Sequence, residues 1–573
     1  MTRDVGRAEN SDGYLRARYE ALNNFYSKHQ VLFKYLLLTL LNAAVLIYLV
    51  FATLYWKNHN DENGFNWCDG YGLLIILLAI TYGGLFYHYL GQLILGYCRR
   101  PFNNVVKNLY ETRYGSLIIQ TVIYTCFLIG IIVFLIVDTA NSRERLRSGL
   151  GIVILLALGF IFSKNPGRVK WRPVLSGLIL QFLFGLLLIR WPLGRSIFQC
   201  FANKVEGFLN FAKSGASFIY SDKLVTDGVF AFSVSEFSLL AHKINYPCQL
   251  KYSIFQVLPV IFYFSCFIQI FYYLGIMQWF IFNLGRILQN VVGTSICESV
   301  TCAGNIFLGM TESPLMIKPY LNKLTTSELH TIMCSGFATV SGTVFAAYIK
   351  FGANPAHLIT STLMAAPGTL CYSKLFYPES EKIVVTSHNV KLEKSKDTSL
   401  VDAASKGAVT AIPLILGIIA NIVAFVSFMA LINALLSWIG SLVGYEELTL
   451  DFILSKVFMP LSWIMGVPWD QCDEVATLIG LKTVVNEFVA YQTLGKFKEQ
   501  GRIFGRTEAI ATFAICGFAN PSSVGITMSM MNSLAPDKKE SVANTVMRAF
   551  VGGSVICFIT ASIAGMLISD DYY

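Results

Sequence analysis

Long apolar runs alternate with short polar ones along most of the chain. Runs of near-spanning length fall at about 31–56, 71–97, 116–138, 148–163, 174–191, 253–282, 326–350, 407–440 and 541–568, and a hydrocarbon core of roughly 30 Å takes about twenty helical residues per crossing. With the shorter, broken runs between them, the pattern predicts about eleven to thirteen crossings. The stretch 195–245 reads as amphipathic or interfacial helix plus loop. The stretch 377–406, from Tyr377-Pro378-Glu379 to Lys394, Lys396 and Asp397, reads as a polar connection without spanning potential. Both are expected outside the hydrocarbon.

Composition agrees with that picture: 54% of the 573 residues are hydrophobic and 14% are charged, against about 25% charged in soluble domains. An ordinary soluble enzyme is excluded. The formal charge of +9 is scattered over short loops rather than gathered on one face, which fits cytoplasmic loops and anionic headgroups and gives no reason to expect nucleic acid. The 13 cysteines contain no CxxC pair, and Cys126, Cys200, Cys266 and Cys557 sit in apolar context. Reduced thiols, no disulfide framework and no cysteine metal site are expected.

Three blocks are expected: a polar segment 1–30, read as cytosolic and not as a cleavable signal; three spans over 31–140; and a core over 141–573. The loop 57–70 is acidic (Asp61, Glu62, Asp69) and 98–114 is basic (Arg99, Arg100, Lys107, Arg113), so the first is expected outside and the second inside. Arg143, Arg145 and Arg147 then fall on the outside and break the rule. The short acidic tail 569–573 suits an external carboxyl terminus and an odd number of crossings.

The most informative feature is internal. Gly304-Asn305-Ile306-Phe307-Leu308-Gly309-Met310-Thr311-Glu312-Ser313-Pro314 precedes an apolar helix holding Gly336-Phe337-Ala338-Thr339-Val340-Ser341-Gly342. Gly480-Leu481-Lys482-Thr483-Val484-Val485-Asn486-Glu487-Phe488 likewise precedes one holding Gly517-Phe518-Ala519-Asn520-Pro521-Ser522-Ser523. Interrupted apolar segments at matching places in two halves mark a transporter built from repeats, with its site where the broken elements meet. Irregular backbone at membrane depth lines a cavity or is buried in protein, so re-entrant hairpins or unwound helices are expected.

A carboxylate at the bilayer centre costs about 2.5–3.5 kcal/mol on insertion scales, so Glu312 and Glu487 take a functional reading. The bland alternative pairs them with Lys482 or Arg548, or lets them snorkel to the interface. Asn305, Thr339, Asn520 and Ser523 are either interhelical glue or ligands, and their clustering beside the breaks favours ligands. Glu298 is a third candidate, for coupling or structure as much as contact. Phe518 is placed to lay its ring against a planar base.

At these residues the chain resembles the concentrative nucleoside transporters. Gly480, Lys482, Asn486, Glu487, Phe488, Ala490 and Tyr491 meet the family pattern G-x-K-x-x-x-N-E-F-x-A-Y in full. The stretch from Glu298-Ser299 through Thr311-Glu312-Ser313-Pro314-Leu315 resembles the family's first hairpin, and Cys516 to Asn520 resembles the helix after the second. The likeness runs from about Pro173 to the end, and the extra amino-terminal spans are similar to those of animal members.

The resemblance implies an all-α, multi-pass plasma-membrane protein of inverted-repeat, elevator type. It implies scaffold and transport domains, two re-entrant hairpins near 294–316 and 472–498, and a homotrimer among membrane lipids. Its implied activity is nucleoside import by sodium symport; independently of the resemblance, a proton is the alternative ion if Glu312 or Glu487, as a buried carboxylate, titrates near ambient pH. It implies that Glu487, Asn520 and Ser523 hold the ribose, and that Thr311, Glu312, Phe518 and the backbone around Gly309 and Val344 face the base. Sodium would lie at Asn305 and Thr339 with carbonyls of Leu308 and Val340.

Two positions depart from the pattern. Met310 stands where the family usually has glutamine and offers no paired hydrogen bonds to a base edge, so it is expected to broaden or shift the base range, or to admit another ribosylated solute. Pro521 replaces a residue without a ring constraint and is expected to perturb its helix. The rival classes are a channel or receptor using the same pocket, and a membrane enzyme. Paired broken segments argue against the first, and the lack of a histidine beside a candidate nucleophile argues against the second.

Overall fold

The computed structural model describes residues 29–59, 67–86, 115–140, 142–220, 254–386, 390, 392, 395, 397–445 and 448–569. Most of the amino-terminal segment, the charged loops around Asp61 and Arg99, the stretch 221–253 and the end of the acidic tail lie outside them. The described residues are helical throughout, with no strand. The chain divides into two compact units, Met1–Ser116 and Leu117–Tyr573.

In the first unit α1 (Gln30–His59) and α2 (Gly70–Phe86) are apolar nearly all round, so the few polar side chains join them. Tyr82 donates to Asn42 Oδ1 (2.5 Å), and Thr53 and Tyr71 share a hydrogen bond of 2.8 Å. Such bonds serve as glue where the surroundings are as apolar as the helix faces.

The second unit takes nearly all of α3 (Gly115–Asp138), then α4 (Leu146–Ile161) and α5 (Trp171–Gly185), which continues as a π-helical turn Leu186–Arg190. The amphipathic helices α6 (Pro192–Asn210) and α7 (Ala212–Tyr220) follow where interfacial helix was expected. Next come α8 (Ile254–Tyr273), α9 (Ile276–Val292), α10 (Ile296–Gly304), α11 (Thr326–Ala338), α12 (Gly342–Lys350), α13 (Pro355–Phe376) and α14 (Leu400–Ser441). The chain ends with α15 (Leu450–Ile464), α16 (Cys472–Val484), α17 (Glu487–Glu499), α18 (Gly505–Ile515), α19 (Pro521–Leu534) and α20 (Lys539–Leu567). Helix α20 is the axis of the core and packs against α4, α11, α13 and α18. Glycine permits the approach to α11, since a Cβ on Gly553 would sit 2.4 Å from Phe337 Cβ.

Several apolar runs expected to cross in one piece are broken. The run 253–282 bends by 78° between Tyr273 and Ile276, where Gly275 takes φ +77°. The run 326–350 stops at Ala338, extends through Thr339, and restarts at Gly342 under the cap of Ser341. Four described helices are long and apolar enough to span: Lys34–His59, Trp171–Arg190, Leu400–Gly417 and Pro536–Leu567. The polar connection also ends earlier than 406, because Ser399 caps α14 and the Asp402–Lys406 pair (2.9 Å) stabilises its first turns.

Two further expectations are corrected. Cys200 is disulfide-bonded, as is Cys68; Cys200 is partly exposed on the amphipathic α6, so its sulfur is not sealed inside the apolar core. Arg145 is no surface charge. It is 1% exposed and pairs with Asp138 at 2.5 Å. Its guanidinium donates to the carbonyls of Met566 (2.8 Å) and Leu567 (3.3 Å), while Arg506 donates to Gly565 (2.8 Å). The two arginines cap the carboxyl end of α20, where last-turn carbonyls lack helical partners and carry the negative end of the dipole. An arginine used this way says nothing about which side its loop faces.

Candidate functional site

The site is built from helix ends. After α10 the chain turns tightly: the amides of Glu312 and Ser313 both donate to Gly309 O at 3.1 Å, and the Gly309 amide donates to Glu312 Oε2 at 2.8 Å. Glu312 thus closes its own loop before the 3-10 helix Pro314–Lys323. In the later half α16 ends at Val484, and Asn486 starts α17 by accepting from the Val489 amide at 3.0 Å, which puts Glu487 in the first turn. After α18 the chain is irregular through Phe518 until Asn520 caps α19 by accepting from the Ser523 amide at 2.9 Å. Pro521, expected to perturb this helix, occupies its first position, where the missing N–H has no helical partner to lose and the fixed φ already suits the helix.

Hydrogen bonds sew the breaks together. Gly342 N donates to Phe307 O and Phe518 N donates to Thr339 O, both at 3.2 Å. Asn520 Nδ2 donates to Glu487 Oε2 at 2.7 Å, and Tyr348 OH donates to Glu487 Oε1 at 3.3 Å. The extended segment of the first half therefore touches both the loop before it and the break of the second half.

Where these pieces meet there is a partly open cavity of about 110 Å³. Gly309, Met310, Thr311, Glu312 and Val344 line it from the first half, and Glu487, Phe518, Asn520 and Ser523 from the second. Every residue expected around the solute thus borders one space, and Glu312 and Glu487 face it together. Neither forms an ion pair among the described residues. Lys482 is buried with its ammonium 5.7 Å from the Phe558 ring centroid, and Arg548 donates to the carbonyls of Phe162 and Phe376. The pairing alternative thus has no support in the geometry.

The cavity has lining that the sequence reading did not select: Ser341, Thr343, Asn486, Phe488, Ser522 and Ile526. Ser341, Asn486 and Asn520 are the N-caps of α12, α17 and α19, so three helix amino termini meet at this space. Each carries a partial positive charge of roughly half a unit, and together they favour an electron-rich solute. The signal was present in Ser341-Gly342-Thr343 and in Asn486-Glu487, since serine and asparagine before a helix are preferred caps.

The residues expected to hold sodium lie at helix ends of the opposite sign. Asn305 caps the carboxyl end of α10 and Thr339 that of α11. Asn305 Nδ2 donates to Ser335 Oγ and Thr339 Oγ1 donates to Ser335 O, each at 2.8 Å, so Ser335 links the two. Asn305 Oδ1 is buried with no hydrogen-bond partner among the described residues, which leaves a hard oxygen acceptor available. Leu308 and Val340 are buried, and the Thr339 carbonyl is taken by Phe518 N. Glu298 does not reach the cavity: it pairs with Lys374 at 3.0 Å, which also meets Glu379 at 3.4 Å, a buried network joining α10 to α13.

Comparison with known proteins gives a consistent result. Family models described as Na+ dependent nucleoside transporter N-terminus, Nucleoside recognition, and Na+ dependent nucleoside transporter C-terminus match residues 150–223, 254–355 and 357–565. Solute carrier family 28 member 3 of Rattus norvegicus is 38% identical, over 99% of this chain and 77% of its own. Sodium/nucleoside cotransporter 1 of Oryctolagus cuniculus is 38% identical, over 99% and 82%. Among solved structures, CNTnw in an inward-facing substrate-bound state aligns with TM-score 0.66 and 34% identity, covering 74% of this chain and 98% of that one. A CNTnw variant in an outward-facing state aligns with TM-score 0.68 and 33% identity, covering 74% and 98%.

Proposed function

The chain belongs to the sodium-dependent nucleoside transporter family, and on that premise we propose that the cavity between the broken helices is where it holds the nucleoside. It is a multi-pass plasma-membrane transporter and not an enzyme, importing nucleosides with sodium by alternating access. The observation that carries the proposed site is Glu487: a buried carboxylate with no ion pair among the described residues, oriented by Asn520 and Tyr348, facing the same cavity as Glu312.

The proposed division of labour follows from the donors and acceptors. Glu487 accepts from vicinal ribose hydroxyls, while Ser523 and the second N–H of Asn520 complete the ring of partners. A site built to bond a hydroxyl strongly rejects an analogue without it. Thr311, Glu312, Phe518 and the backbone at Gly309 and Val344 meet the base, with Met310 at its edge. Sodium sits by Asn305 and Thr339, near the carboxyl ends of α10 and α11, with carbonyls of Leu308 and Val340. Its fall through 100 mV supplies about 2.3 kcal/mol, enough for somewhat under two decades of accumulation before its own gradient is counted.

The loop from α10 to the 3-10 helix and the α16–α17 turn are read as re-entrant hairpins of a transport domain that moves as an elevator against a scaffold, in a homotrimer. Radiolabelled uptake into proteoliposomes tests the site and the ion together. Sodium-dependent accumulation of ribonucleosides, with 3′-deoxy analogues excluded, supports it. Equal uptake with a proton gradient alone assigns the coupling to protons, and indifference to the 3′-hydroxyl rejects the ribose assignment.

A further inference from the structure

Tyr348 was singled out by no motif. It lies on α12 one turn beyond Val344, at the (i, i+4) spacing that puts two side chains on one helix face. Its ring is fully buried, stacked on Tyr491 with centroids 4.4 Å apart and edge-on to Phe488 at 5.1 Å. Locked there, the phenol has one described acceptor, Glu487 Oε1, at 3.3 Å. The other carboxylate oxygen is held by Asn520. The carboxylate is therefore gripped from both repeats: Asn520 reaches it from α19, and Tyr348 from a helix that begins at the Thr339–Ser341 break.

We propose that Tyr348 is a positioning residue for nucleoside transport, fixing the Glu487 carboxylate in the plane that receives two adjacent ribose hydroxyls. A carboxylate tethered at one oxygen swings about that bond and meets a diol in many orientations; tethered at both, it presents its remaining lone pairs in one. Tyr348 acts through Glu487 and does not line the cavity itself. It also joins the ribose site to the helix that follows the break holding Thr339 and Val340, two of the residues proposed for sodium. The inference rests on the assignment of Glu487 to the ribose.

Tyr348→Phe removes the hydroxyl and leaves the stacked ring. In uptake assays normalised to surface protein, KM for a ribonucleoside rises about tenfold, at the lower end for a hydrogen bond to a charged group. Maximal velocity falls less than about twofold, and preference over the 3′-deoxy analogue shrinks by a similar factor. Tyr348→Leu removes ring and hydroxyl together. If phenylalanine keeps wild-type KM and preference while leucine loses them, the residue only packs and the proposal is overturned. Glu487→Gln is run alongside: wild-type KM and preference in that variant sink the ribose assignment itself. Loss there with an unchanged Tyr348→Phe sinks this inference alone.

Discussion

Asn520 Nδ2 and Glu487 Oε2 stand 2.7 Å apart, and this bond joins the first turns of two helices that are separate in sequence. Asn520 also accepts from the Ser523 amide and the Ser522 hydroxyl at 2.9 and 2.8 Å. One amide thus caps α19 and orients the carboxylate of α17. Asn520→Asp keeps a cap but turns a donor into a second negative charge facing Glu487. It is expected to remove uptake almost completely, while Asn520→Ser, a cap without that repulsion, keeps a measurable fraction. Surface-normalised uptake checks the order; equal activity in the two variants contradicts it.

Asn305 holds Ser335 through its amide and leaves its carbonyl oxygen, buried in the interior, unpaired among the described residues. Asn305→Leu removes that oxygen with little change of volume. The sodium concentration for half-maximal uptake is expected to rise at least about tenfold, since a desolvated hard cation loses one of few oxygen ligands. Titration of uptake against sodium at saturating nucleoside measures it, and an unchanged midpoint removes Asn305 from the ion site.

Met310 packs hard against α11: a Cβ on Gly336 would come 2.7 Å from Met310 Cβ. Its sulfur accepts from Thr527 Oγ1 at 3.5 Å. Met310→Gln brings an amide to the cavity edge, with donors and acceptors that a thioether lacks, and is expected to shift the ratio of pyrimidine to purine uptake. A panel of labelled nucleosides reports the ratio, and constancy excludes this position from base selection.

Arg145 neutralises Asp138 and caps α20 at once. Arg145→Leu leaves Asp138 with Arg190 as its remaining cation and opens the carbonyls at the end of α20, a loss on the order of 1–3 kcal/mol. Asp138→Asn keeps the carbonyl contacts and is expected to destabilise less. Thermal unfolding in detergent ranks them; an unshifted Tm for Arg145→Leu contradicts the capping account.

How much of this was readable from sequence depends on how local each signal is. The lining residues Gly309 to Glu312 and Phe518 to Ser523 lie within a few positions of a glycine or proline, so a search for polar groups beside interruptions reaches them, while Glu487 stands out as a carboxylate inside an apolar stretch. Helix breaks inside 253–282 and 326–350 were harder, because hydropathy averages over a run and is blind to one glycine at positive φ in the first and to an extended Thr339 in the second. Tyr348 was invisible for another reason: it sits in an apolar helix, and its partner Glu487 is 139 positions away. Arg145 misled the topology argument, since counting basic residues assumes that each faces water.

Nucleoside binding in this cavity depends on the Glu487 carboxylate receiving the sugar. Sodium-driven uptake of a labelled ribonucleoside in proteoliposomes, comparing the unaltered protein with Glu487→Gln at equal incorporation, tests it most directly. Loss of uptake nearly to background, with the variant folded as judged by its Tm, is the predicted result; wild-type rates from the amide variant would contradict it.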